Sequence, residues 1–273
     1  MKVLITGSNG FVGTNLKKHR ESLGDTVICF NSGDTLKDLS HIEVDAVFHC
    51  AAELKDESLM FGSNIELTYR FLCLFKEGLS DKFVYVGTSS EYGRKDHPIT
   101  ENDSYHPETI YEATKGCGSL LCRAFAKITG KPVMIARPFS LYGPYQSNLK
   151  FIPTLYDCFM CGKKAVVDVG AVHDWVYIDD FVRGLGMMLN RNITDTVNFG
   201  SGIQISNGQI VAMMRNITGR DIDVETVSGI RPYDSKQWVC DTQYAERALG
   251  FVCEHGLYSG LNSYVKFMQK DGK

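Results

Sequence analysis

Apolar residues in the first 140 positions fall into short unbroken runs separated by segments of helical period. Lys2–Thr6, Thr26–Phe30, Ala46–Cys50, Phe83–Gly87 and Val133–Arg137 are such runs. None alternates between apolar and polar, which is the pattern of strands covered on both faces. Gly10–Leu23, Ser58–Lys76 and Ser104–Thr129 read as the intervening helices. Strand–helix alternation of this kind predicts parallel strands, right-handed crossovers and a doubly wound α/β sheet. The stretch from Phe30 to Asp45 is too short for a full crossover helix. After Tyr142-Gly143-Pro144 the pattern loosens. Phe151–Cys161, Ile178–Leu189 and Asn207–Thr218 read as helices and Ala165–Val169 as a short strand. Asp179-Asp180 suits a helix N-terminus. This half reads as a smaller, mixed α/β lid over the carboxyl end of the sheet, where ligands bind in such folds.

The first strand runs into Gly7-Ser8-Asn9-Gly10-Phe11-Val12-Gly13, a G-x-x-G-x-x-G loop that opens a helix. Such a loop needs a tight turn, then a backbone that approaches a pyrophosphate without side chains, then close helix–strand packing. The N–H groups and dipole of the helix start favour the anion. Gly7, Gly10, Phe11, Val12 and Gly13 are therefore candidates for dinucleotide binding in a Rossmann-like fold. The second strand ends in Asn31, where an NAD site commonly places an acid, and no Arg or Lys stands beside it to clasp a 2′-phosphate. NAD and NADP both stay open, and Asp34 is a second candidate for the ribose. Residues 1–145 read as an NAD(P)-binding domain. Residues 146–273 read mainly as a substrate-binding domain, with segments around 173–204 returning to the first.

Tyr111-Glu112-Ala113-Thr114-Lys115 is a Y-x-x-x-K. Positions i and i+4 share a helix face, so an ammonium near a phenol is expected to lower the phenol's pKa toward working pH. Upstream, Phe83–Gly87 ends in Thr88-Ser89-Ser90-Glu91-Tyr92-Gly93, hydroxyls at the carboxyl end of a central strand.

Composition narrows the class. The 273 residues carry 29 Lys+Arg against 32 Asp+Glu, a net charge of -3, unlike a polyanion-binding protein. No span is apolar enough for a membrane helix, and the chain opens directly on a strand-like run, so the cytoplasm is the expected compartment. Nine cysteines are scattered and odd in number. Cys158 and Cys161 form a lone C-x-x-C without a second ligand pair, so packing is expected and no metal. The sequons Asn192-Ile193-Thr194 and Asn216-Ile217-Thr218 carry no weight in such a compartment.

The ordered set of motifs resembles the extended short-chain dehydrogenase/reductases that act on nucleotide sugars. The matching residues are Gly7–Gly13, Val47-Phe48-His49-Cys50-Ala51-Ala52, Asn64, Thr88–Gly93, Tyr111 with Lys115, and Arg137-Pro138-Phe139-Ser140-Leu141-Tyr142-Gly143-Pro144. Asp174–Asp180, Asn198–Gly202, Arg231 and Asp241 complete the set, which spans nearly the whole chain. The resemblance implies Thr88 as the catalytic hydroxyl, with Ser89 its nearest rival, Tyr111 as acid/base and Lys115 as its electrostatic partner. It implies Asn31, Leu39, Ala51, Ala52, Tyr111, Lys115 and Pro138 at the cofactor. It implies Thr88, Ser89, Ser90, Ser140, Asn148, His173 and Arg231 at a nucleotide-sugar substrate, with Arg231 on the diphosphate.

Several residues depart from the family pattern. Dehydratases follow the Thr with an acid pair, whereas here Ser89 and Ser90 stand there and Glu91 comes one residue late. Dehydration is therefore disfavoured. Ser90 also replaces the Cys of the double epimerase-reductases, Ser140 a common Asn, and His173 a common Arg. The compact length and missing acids favour reduction of a nucleotide-linked 4-keto sugar. The alternatives are a 4-epimerase with tightly bound NAD and a catalytically inactive NAD(P)-binding scaffold. A homodimer is expected through the helices of Ser58–Lys76 and Ser104–Thr129. Leu67, Phe71, Leu74 and Phe75 mark one stripe of the first, which core packing explains equally.

Overall fold

The computed structural model describes residues 1–39, 41–191, 195–229 and 237–271. Within them, β1 (Lys2–Thr6), β2 (Thr26–Phe30), β3 (Val44–His49), β4 (Ser80–Val86) and β5 (Val133–Pro138) form one sheet with β9 (Thr196–Phe199). The order is β2-β1-β3-β4-β5-β9, and every pairing is parallel. β6 (Ser140–Tyr142), β8 (Val172–Tyr177) and β10 (Gln204–Ser206) make a second sheet, and β7 (Ala165–Val167) pairs with β11 (Val224–Thr226). The sequon Asn192–Thr194 lies outside the described residues.

Adjacent residues of β1 show why the strand runs are unbroken. Val3 and Ile5 pack into a cluster with Phe48, Phe181 and Phe199 on one face. Leu4 packs with Phe71, Phe75 and Phe83 on the other. Both faces are buried, so alternation has no role. α1 (Phe11–Ser22) and α6 (Ile178–Leu189) cover the first face. α3 (Leu67–Lys76) and α4 (Ile110–Thr129) cover the second. A third cluster joins α5 (Phe151–Cys161), α7 (Asn207–Thr218) and α9 (Leu257–Asp271) to the second sheet around Tyr142, Trp175 and Ile210.

Three departures from the sequence reading have local causes. The helix expected over Ser58–Lys76 is α2 (Glu57–Met60), a π-helical segment Phe61–Glu66 and then α3. The helix expected from Ser104 begins at Ile110, because Thr109 and Glu112 close a capping box there. β9 is a sixth strand of the main sheet that the apolar runs do not reveal. Its Asn198 interrupts the pattern, yet Asn198 is fully buried and takes a hydrogen bond from the Tyr92 hydroxyl at 2.9 Å. The connection from β2 to β3 holds only a 3₁₀ turn, Leu36–Leu39. Phe71 and Phe75 are fully buried, and Leu67 and Leu74 pack on the same cluster, so that stripe belongs to the core.

α4 lies close on β4 because Gly118 has no side chain. A Cβ there would collide with the hydroxyl of the fully buried Tyr85, which donates to the Lys115 carbonyl at 3.1 Å. Gly118→Ala is expected to cost about 1–3 kcal/mol by overpacking, read as a lower urea midpoint with an unchanged slope.

Candidate active site

The glycine loop sits at the carboxyl end of β1. Gly7 has φ +66°, and a Cβ on it would lie 2.8 Å from the Ala51 Cα. Its N–H donates to the Phe30 carbonyl at 2.7 Å, which closes β1 onto β2. A Cβ on Gly13 would collide with the Gly7 carbonyl, so α1 starts hard against the strand. Gly10 is the exposed N-cap, no side chain caps the helix, and its first turn holds no acid. The helix start thus keeps its positive end open to an anion. These features fit a dinucleotide pyrophosphate. Phe11, Val12, Ala51 and Ala52 are half-buried around it.

The end of β2 is arranged differently from the sequence expectation. The Asn31 side chain turns onto the loop, where its Oδ1 accepts from Ser8 Oγ and Asn9 N, both at 3.1 Å. Asp34 accepts from the Asn31 N–H at 2.7 Å. Leu39 is buried with Phe30 and Phe71 in the core.

Beneath Ala51 runs a buried relay. The Ala51 N–H donates to Thr6 Oγ1 at 3.1 Å, and Thr6 Oγ1 lies 2.8 Å from His49 Nδ1. His49 Nε2 lies 2.9 Å from Thr68 Oγ1, which donates to the Asn64 carbonyl at 2.8 Å. The Thr68 proton is therefore committed, so Nε2 carries the imidazole proton and Nδ1 accepts from Thr6. Asn64 Nδ2 continues to Thr114 Oγ1 on α4 at 3.0 Å. Burial, then the nearby Lys115 charge, lowers the His49 pKa to about 3.

α4 presents Tyr111, Lys115 and Ser119 at four-residue intervals. Tyr111 is half-buried, and the neighbouring Thr88 hydroxyl acts to lower its pKa against burial. Thr88 caps the 3₁₀ turn Ser89–Tyr92 that follows β4. Ser90 is 3.3 Å from the Thr88 hydroxyl, whereas Ser89 is buried. Of the two, Thr88 is the hydroxyl that acts on the Tyr111 phenol. Lys115 is 2% exposed. Its Nζ donates to the Val86 carbonyl at 2.8 Å and lies 4.2 Å from the Tyr85 ring centre.

The electrostatics overturn one expectation. Burial, reinforced by the Glu91 charge, pushes the Tyr111 phenol up instead of down. A buried phenolate is poorly solvated, and the Lys115 cation is engaged by a carbonyl and a ring. Burial also lowers Lys115 to about 8, with the Glu91 charge acting against it.

Glu91 is the residue the sequence placed least well. It is fully buried. Its carboxylate accepts from Thr88 N at 2.9 Å, Ser119 Oγ at 2.7 Å and Arg137 Nε at 2.9 Å. Arg137 is likewise buried and donates to the Tyr92 hydroxyl at 2.7 Å and to Tyr105. The only advance signal was an acid displaced by one position.

Pro138 is buried at the end of β5. Ser140 and His173 come together on β6 and β8, with Oγ and Nδ1 3.3 Å apart, and the His173 ring lies 5.1 Å from that of Trp175. Asp174, fully buried, accepts from the N–H groups of Ser201, Gly202 and Cys240 at 2.7–3.0 Å. Asn148 is exposed ahead of α5, and no bond joins it to Ser140 or His173 among those described. Arg231 lies outside the described residues.

Residues 3–200 match the model of the NAD dependent epimerase/dehydratase family. The chain belongs to this family. It is 27% identical to an uncharacterized UDP-glucose epimerase, YtcB, of Bacillus subtilis, over 98% of each chain. It is 31% identical to a dTDP-glucose 4,6-dehydratase of Streptomyces griseus, over 83% of this chain and 72% of that one. A mutant UDP-glucuronic acid 4-epimerase of Bacillus cereus, solved with UDP-4-deoxy-4-fluoro-glucuronic acid and NAD, superposes with a TM-score of 0.89. The identity is 25%, over 99% of both chains. MoeE5, solved with UDP-glucuronic acid and NAD, shares the fold with a TM-score of 0.92 at 24% identity, over 99% of this chain and 100% of that one. As a member of this NAD-dependent family, the chain is an enzyme of nucleotide-sugar chemistry. Among the described residues no helix is long and apolar enough to cross a membrane.

The His49 relay makes a pH prediction. An unfolded histidine titrates near 6.5 and the folded one at about 3. The unfolded chain therefore binds the extra proton between those values. This contribution to stability is complete above about pH 6.5 and is lost as pH falls toward 3, with a slope of at most about 1.4 kcal/mol per pH unit. Urea unfolding across that range is expected to show the slope, and His49→Gln to flatten it.

Proposed function

We propose that the protein is an NAD-dependent nucleotide-sugar 4-epimerase. One observation carries the reading. The Thr88 hydroxyl, at the turn after β4, acts on the Tyr111 phenol, while the nearby carboxylate, Glu91, is sealed in an ion pair with Arg137. That arrangement moves a proton on a carbinol oxygen and offers no free acid at the turn for removing water. The epimerase relatives support this choice over the reductase that compact length and the missing acid pair favoured.

Gly7, Gly10, Gly13 and the start of α1 would hold the pyrophosphate, with Phe11, Val12, Asn31, Leu39, Ala51, Ala52 and Pro138 along the groove and Lys115 toward a ribose. Bound NAD would supply the hydride acceptor and donor at C4. Tyr111 exchanges a proton with O4, and Thr88 holds O4 by hydrogen bonding. Ser89, Ser90, Ser140, His173, Asn148 and Arg231 are assigned to the substrate by family resemblance. All nine cysteines are free thiols, which suits the reducing cytoplasm.

A second reading, a reductase of a 4-keto nucleotide sugar, draws on Asn31. Asn31 itself carries no charge to repel a 2′-phosphate, although the Asp34 carboxylate sits on its backbone N–H, so NADP is permitted and not demanded. Incubation with UDP-glucose and UDP-glucuronic acid separates the readings. An epimerase forms the C4 epimer with catalytic NAD and no net change in nicotinamide absorbance. A reductase consumes reduced cofactor stoichiometrically on keto sugars, and an inactive scaffold does neither. Tyr111→Phe is expected to lower kcat by roughly 10²–10⁴-fold and Thr88→Ala by at least about tenfold, with the fold intact by circular dichroism.

We also infer a homodimer through α3 and α4. Phe61 on the preceding π-helical segment is 66% exposed and Leu120 on α4 54%, and Tyr69 on α3 and Ile110 on α4 are exposed as well. A charge at the centre of such an apolar contact disrupts it. Wild type is expected at twice 30.5 kDa by sedimentation, and Leu120→Glu at the single-chain mass.

A further inference from the structure

The turn that Thr88 caps carries, at its third residue, a carboxylate with no exposed surface. A capping glutamate ordinarily reaches back to the N-cap backbone N–H. Here Oε1 accepts the Thr88 N–H, while Oε2 takes both Ser119 on α4 and Arg137 on β5. One side chain therefore ties together the three elements around the reactive hydroxyls. Burying such an ion pair costs several kcal/mol per ion, and packed apolar side chains would fill the volume more cheaply.

We propose that Glu91 is a positioning residue: its carboxylate holds the Thr88 turn, α4 and β5 in one register, so that the Thr88 and Tyr111 hydroxyls meet, and it fixes a negative charge behind Lys115. This rests on the assignment of Tyr111, Lys115 and Thr88 given above. Ser119 is one helical turn beyond Lys115 and two beyond Tyr111, so its bond to Glu91 sets the rotation of the face that carries both. The charge acts across a crowded site. Lys115 is faced by Glu91 from the turn, Cys50 after β3, Cys122 on α4, His49 on β3 and the Tyr85 ring on β4. Tyr111 is faced by Glu91 and Glu112. Glu91 itself is faced by Arg137 on β5, which Tyr92 and Tyr105 also contact. Glu91 is the carboxylate that favours the ammonium of Lys115 against burial.

Glu91→Gln leaves Arg137 buried without its counterion and can fail to fold, so the deciding variant removes both charges. Glu91→Leu combined with Arg137→Met replaces the pair by apolar side chains, an exchange that buried ion pairs tolerate. Two quantities are read. One is turnover of the sugar nucleotide shown to be the substrate. The other is the Lys115 titration midpoint, followed by NMR of isotope-labelled lysine without substrate and assigned with Lys115→Arg. The proposal expects kcat to fall about tenfold or more with KM within about twofold, and the Lys115 midpoint to fall by about one pH unit. Ser119→Ala, which cuts only the tie to α4, is expected to lower kcat about fivefold, the equivalent of one hydrogen bond, and to leave the midpoint in place. A purely structural pair predicts that the folded double variant keeps wild-type kcat and midpoint. Either value remaining at the wild-type level overturns the proposal. Turnover surviving in Tyr111→Phe would instead sink the catalytic assignment, and the lysine midpoint does not depend on it.

Discussion

A carboxylate with no access to water survives in a fold only when its oxygens are engaged by donors. Glu91 meets that condition with three, drawn from its own turn, from α4 and from β5. Arg137 meets the converse condition by reaching Tyr92 and Tyr105 as well. Neither charge can be released alone without stranding the other in a low-dielectric interior. Two close approaches reinforce the arrangement. A Cβ on Gly118 would strike Tyr85, and one on Gly87 would lie 2.5 Å from Glu91 Oε1. This end of the sheet is therefore set by mutual constraint, and the half-buried hydroxyls of Thr88 and Ser90 inherit their geometry from what is buried behind them.

The same burial explains the titration behaviour of the whole region. His49 is held neutral, Lys115 is brought down, and the Tyr111 phenol is pushed up. In each case desolvation of the charged form comes first and neighbouring charges second. A Y-x-x-x-K on an open helix would let the ammonium dominate. On α4 the ammonium rests on the Val86 carbonyl and the Tyr85 ring, so the pair is poised by its surroundings more than by its own spacing.

This contrast marks how far a sequence can be read. β1 and β2 were legible to the residue, because runs flanked by glycine or turn residues have one easy interpretation. The glycine loop was legible for the same reason: its requirements are local and steric. β9 was not, since Asn198 is tolerated only through a tyrosine about a hundred positions away. The preference for Thr88 over Ser89 depends on a 3₁₀ turn that buries one hydroxyl and leaves the other toward Tyr111. Asn31 could be seen to lack a charge, but not to fold back on Ser8 and Asn9. The Glu91–Arg137 pair joins residues 46 positions apart, beyond any periodicity. Spacing reveals which groups share a face; burial decides what those groups do.

The position of that acid bears on reaction class. Elimination of water from a sugar calls for a general acid–base group that can exchange a proton with the substrate. A carboxylate whose oxygens already serve a backbone N–H, a hydroxyl and a guanidinium has no such freedom. At its place on the turn the acid joins the Thr88 backbone, α4 and β5. What remains at the surface of the crevice is a set of hydroxyls, Thr88, Ser90 and Tyr111, backed by one partly neutralised ammonium. Under the proposed reading, such a set transfers a single proton at one oxygen and does so equally well in either direction, as the interconversion of two C4 configurations requires.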